Sequence, residues 1–124
     1  MRTKAPIGST ADELALRLGV TLTPLRPDVR IAISNDLASK PSELNWPLNG
    51  YREPPWDDMA GWFIWTGGHG LPIGDDAFTS LHAAHAEDYI AEAIPYLGLP
   101  AGWRFLVAPG HEDVWFDEEL LSAD

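Results

Sequence analysis

Hydrophobic and polar positions change their period several times along the chain. Val29-Arg30-Ile31-Ala32-Ile33 alternates, the two-residue repeat of a half-buried strand. Trp62 to Thr66 is apolar at nearly every position, which predicts a central strand covered on both faces. Trp103-Arg104-Phe105-Leu106-Val107-Ala108 reads as a further strand. Pro109 to Asp113 then reads as a turn, and Val114-Trp115-Phe116 as the returning arm of a hairpin.

The helical period appears twice. Thr10-Ala11-Asp12-Glu13 has the spacing of a capping box, Leu14 and Leu18 follow, and Gly19 stops the pattern. This predicts a short helix over about 11–18. Thr79 to Ile94 predicts the principal helix, about 79–94, with Leu81, Ala84, Tyr89, Ile90 and Ile94 on one broad face. Glu87, Asp88 and Glu92 fall on its wet side, and Pro95 ends or kinks it. Residues 34–58 hold four prolines and Gly50, which leaves room for a short strand near 48–52, and residues 1–9 read as flexible. The sum is one α+β domain over 1–124, with a mostly antiparallel sheet.

Composition narrows the class. The chain has 124 residues, 45% hydrophobic and 22% charged, enough for one packed core. No window holds eighteen consecutive apolar residues, so no membrane partner is expected. Cysteine is absent, which fits a reducing, cytoplasmic setting. The formal net charge is −11, unevenly placed. Residues 1–56 carry seven Lys or Arg against six acids, whereas residues 57–124 carry only Arg104 against thirteen acids. Such a half-chain repels phosphates, so nucleic acid is not the expected partner.

The stretch Gly67-Gly68-His69-Gly70, ending at Asp75-Asp76, raises the question of a phosphate loop. A phosphate loop converges backbone N–H groups on an anion and adds a lysine. This one has no Lys or Arg, and its aspartates would repel the anion. Its glycines read as a change of chain direction. His69 as a general base would need a nucleophile, and the loop offers only aspartates. His82 and His85 stand three apart on the predicted helix, with Asp88 and Glu92 as completing ligands. They lack the four-residue spacing and following glutamate of a zinc-protease helix. Paired carboxylates at Asp57-Asp58, Asp75-Asp76, Glu112-Asp113 and Glu118-Glu119 point apart as chain neighbours do. No catalytic, metal or cofactor site is expected. Of six tryptophans, Trp62, Trp65, Trp103 and Trp115 read as core, while Trp46 and Trp56 lie in proline-rich loops. A loop tryptophan beside acids suits a protein interface.

The run Gly61-Trp62-Phe63-Ile64-Trp65-Thr66-Gly67-Gly68, then Asp75-Asp76-Ala77-Phe78, then Ile94-Pro95-Tyr96-Leu97-Gly98-Leu99-Pro100-Ala101-Gly102-Trp103-Arg104-Phe105, resembles the immunity protein 33 family. The resemblance covers about 60–118, and residues 29–38 match that family's early strand. It implies a small non-catalytic bacterial domain that neutralises a cognate toxin of a polymorphic toxin system by binding. It brings no catalytic residues. The acidic half suggests that the toxin is basic. The contact set expected is Asp75, Asp76, Glu112, Asp113, Asp117 and Glu118, with Trp56 as an apolar anchor. The competing classes are a small histidine- or metal-dependent enzyme and an oligomerisation module.

Overall fold

The computed structural model describes residues 10–39, 46–68 and 77–122. Helix α1 spans Ala11–Leu18. The Thr10 hydroxyl accepts from the Glu13 amide at 3.2 Å, and the Glu13 carboxylate accepts from the Thr10 amide at 2.9 Å, closing the capping box. Gly19 ends the helix in the left-handed region, at φ 67°. Leu14 is its buried anchor, whereas Leu16 points into solvent.

Strand β1 (Arg30–Ser34) leads into a short helix α2 (Asn35–Ser39). Strands β2 (Leu48–Arg52), β3 (Met59–Thr66), β4 (Phe78–His82), β5 (Trp103–Ala108) and β6 (His111–Phe116) complete one sheet in the order β4-β1-β3-β2-β5-β6. Only the β1–β3 pair is parallel; β1–β4, β2–β3, β2–β5 and β5–β6 are antiparallel. The fold is α+β, as expected. Strand β3 lies inside the sheet between β1 and β2.

The principal helix differs from its expected span. Residues 78–82 are strand β4, paired with β1 from Ser34↔Phe78 to Arg30↔His82. The pairing energy of a whole edge strand outweighs the local helical period there. A 3-10 turn over Ala83–His85, helix α3 over Ala86–Ile90 and a second 3-10 turn over Ala91–Tyr96 follow. Ala86, Ile90 and Ala93 are buried at the i, i+4, i+7 spacing of one helical stripe, while Ile94, expected on the apolar face, is 43% exposed and Glu92, expected on the wet side, is half-buried. Strand β6 begins at His111, so the turn before it is shorter than expected.

The core lies between one sheet face and the helical segments. It joins Leu14, Ile31, Ile33, Leu37, Leu48, Trp62, Ile64, Ile90, Tyr96, Leu99, Phe105 and Val107, all essentially inaccessible. Trp62 donates from its indole N–H to the Leu97 carbonyl at 3.0 Å, so its one polar atom is satisfied. Gly61 is required where it stands. Its φ is +102°, and a Cβ would lie 2.0 Å from the Glu53 carbonyl oxygen.

Candidate functional site

Strand alternation sends neighbouring residues to opposite faces. On β3, Trp62 and Ile64 face the helices, and Phe63 and Trp65 face the other way. Register carries this across the sheet: Phe63 pairs with Tyr51, Tyr51 with Arg104, and Arg104 with Trp115. These residues line the face opposite the helices, and none of their rings belongs to the helix-side core.

That face is a connected aromatic layer. Phe63 stacks on Tyr51 at 5.3 Å and meets Phe78 edge-on at 5.3 Å. Trp56, from the β2–β3 connection, stacks on Phe63 at 6.0 Å. Trp65 meets Tyr51 edge-on at 5.7 Å. The Arg104 guanidinium lies 5.5 Å from both the Tyr51 and Trp115 ring centres and pairs with Asp117 at 3.0 Å. Burial, helped by the nearby Glu53 carboxylate, raises the Tyr51 hydroxyl above the ordinary tyrosine pKa, against the opposing influence of Arg104. Trp56 and Trp115 remain 41% and 40% exposed. Trp115, expected in the core, is thus a surface residue, because its strand position selects the face opposite the described helices.

The acids named from sequence divide between the faces. Glu112 pairs with Val107 and turns toward the helices. There it accepts from the Tyr96 hydroxyl at 2.5 Å and pairs with Arg17 of α1 at 2.9 Å. Burial and this carboxylate together push the Tyr96 hydroxyl well above the ordinary tyrosine range. Asp113 pairs with Leu106 and lies on the aromatic face, beside His111 at 2.9 Å. Asp117 holds Arg104, and Glu118 is exposed on the closing 3-10 turn, Glu118–Ser122. Asp75, Asp76 and His69 lie outside the described residues.

The histidine pair changes context. His82 ends strand β4 and His85 closes the first 3-10 turn, so they do not share a helix face. Their ring centres are 6.5 Å apart. Among the described residues no group of three or more His, Cys, Asp or Glu side chains could hold a metal ion.

Two further polar groups are structural. Arg52 faces the helices, lowered in pKa by burial, and donates to the Ala60 and Leu99 carbonyls at 2.9 and 2.7 Å. Burial raises the Asp36 pKa, but the nearby Ser34 hydroxyl, the Thr66 hydroxyl, which donates to the carboxylate at 2.8 Å, and backbone amides outweigh this and leave it lowered.

Tyr51, Phe63 and Arg104 were not named from the sequence. The signal lay in the alternation of β2, β3 and β5, but alternation alone does not say which face the helices cover. Among the described residues no helix is long and apolar enough to cross a membrane. A family described as an Imm33-like domain matches residues 10–117, which extends the likeness to α1 and β2. No curated protein and no solved structure matches the chain.

Proposed function

Because this chain belongs to the Imm33-like domain family, we propose that it is an immunity protein which neutralises a cognate bacterial toxin by binding and occluding it. The family match carries this reading, under which the protein acts as a binder and not as an enzyme. The charge distribution supports a basic toxin, since a strongly acidic half-chain speeds encounter with a cationic surface. The proposed contacts are Trp56, Asp75, Asp76, Glu112, Asp113, Asp117 and Glu118. Of these, Trp56 and Asp113 support direct contact best, because both are exposed on the sheet face opposite the described helices.

The test is affinity capture from the native lysate, with low-salt and then high-salt washes. The captured protein is then expressed alone and together with this chain. The expected result is growth arrest by the captured protein, relieved by co-expression, with capture weakened by salt. A captured protein that never arrests growth, or an arrest that persists on co-expression, counts against the reading. Reversing Asp75 and Asp76 to lysine is expected to slow association and flatten its salt dependence.

A further inference from the structure

We propose that the sheet face opposite the described helices, centred on Tyr51, Trp56, Phe63, Arg104 and Trp115, is the docking surface for a cationic, arginine-bearing segment of a partner protein. That the partner is a toxin rests on the immunity reading; the chemistry of the face does not.

Three observations carry it. The first is residue type. Trp, Tyr and Arg dominate the energetics of protein interfaces, and here they meet on one surface, all but Trp56 on strands, which hold side chains more rigidly than loops do.

The second is charge. Among the described residues the arginines on this face are already paired, Arg104 with Asp117 at 3.0 Å and Arg30 with Asp58 at 3.2 Å. Asp57 stands next to Trp56 in the chain and makes no ion pair among the described residues. Asp113 shares a strand face with Trp115, and among the described residues its ion-pair partner is His111. What remains for a partner is therefore negative. A second copy of the chain would bring acids against acids, and a nucleic acid would bring phosphates against them.

The third is a contact within the face itself. Arg104 sits over two aromatic rings with a carboxylate on its guanidinium. Exposed Trp115, two residues from Asp113 on the same strand face, offers the same pairing of ring and carboxylate to an incoming arginine, and exposed Trp56 is followed in the chain by Asp57.

The experiment uses the full chain and an octa-arginine peptide, with octa-glutamate as the control. Tryptophan fluorescence and amide NMR shifts are followed during titration. The expected result is saturable binding of octa-arginine alone, with shifts at Tyr51, Phe63, Arg104 and Trp115. Trp56→Ser and Trp115→Ser should each weaken affinity about tenfold. Asp57→Asn combined with Asp113→Asn, which leaves the ring packing in place, should weaken it about threefold. Shifts confined to the helix-side acids Asp12, Glu13, Glu87 and Asp88, or affinity unchanged in the double asparagine variant, would overturn the proposal. A concentration-dependent dimer abolished by Trp115→Ser would overturn it in favour of a second copy.

Relief of toxin-arrested growth is read separately. If the variants lose octa-arginine yet relieve arrest as well as the parent, this face is not the toxin dock and the immunity reading stands. If the parent takes octa-arginine on this face yet relieves no toxin, the docking surface stands and the immunity reading falls.

Discussion

Trp62 and Phe63 are neighbours in sequence and belong to different chemistries. Trp62 is fully buried on the helix side, packed on Phe105 at 5.5 Å with its N–H bonded to Leu97. Phe63 is half-buried on the other side, between Tyr51 and Trp56. The same contrast separates Glu112, held by Tyr96 and Arg17, from Asp113, which lies beside His111. One face has spent its rings and carboxylates on packing and internal hydrogen bonds. The other leaves two tryptophans and several acids partly open to solvent. In this sheet, residue type says little about role until the face is known.

The largest expected break in this contrast is Trp62→Ala. Removing a fully buried ring should cost about 3–5 kcal/mol, against less than about 1 kcal/mol for Trp56→Ala, as read by thermal or urea unfolding. Equal losses would mean that the two faces are not energetically distinct. Gly61→Ala tests the backbone that sets the two faces. A Cβ beside the Glu53 carbonyl at positive φ is expected to cost about 3 kcal/mol.

Tyr96→Phe removes the hydroxyl from Glu112 and should cost about 1–2 kcal/mol. It also tests a pH dependence. Tyr96 and Tyr51 are both raised in the folded state, so their contribution is complete below the ordinary tyrosine pKa near about 10 and is lost as pH rises beyond it. Alkaline destabilisation should therefore weaken in Tyr96→Phe, measured as Tm between neutral and strongly alkaline pH. Asp36 has the opposite sign. Its pKa is lowered, so its stabilisation is present above the ordinary aspartate range and fades as pH falls through and below it. Thr66→Val should reduce that acid-side loss. The smallest effect expected is from Asp113→Asn, which should leave Tm unchanged while Glu112→Gln lowers it. A reversal would place the working carboxylate on the aromatic face.

Much of the architecture was legible in the sequence because it is local. Thr10 and Glu13 are three residues apart, and a capping box needs nothing more. The strand at 103–108 has its own alternation, and Gly50 within 48–52 did not prevent a strand there. Thr79 to His82 departs from the expected helix because its helical period is local and its pairing with β1 is not. The site was less legible for the same reason. Trp56 stood out as a loop tryptophan beside acids, but Tyr51, Phe63 and Arg104 acquire meaning only when β2, β3 and β5 are side by side.

Short-range rules of capping, alternation and charge count determined from the sequence alone that this chain would be an acidic α+β fold with a capped first helix and a sheet rich in tryptophan. Tertiary structure decided which rings are core and which are surface. A strand presents two faces with equal claim to its residues. Burial goes to the face on which the helices settle, and that choice depends on contacts between segments far apart in the chain, such as Glu112 with Arg17 and Trp62 with Leu97.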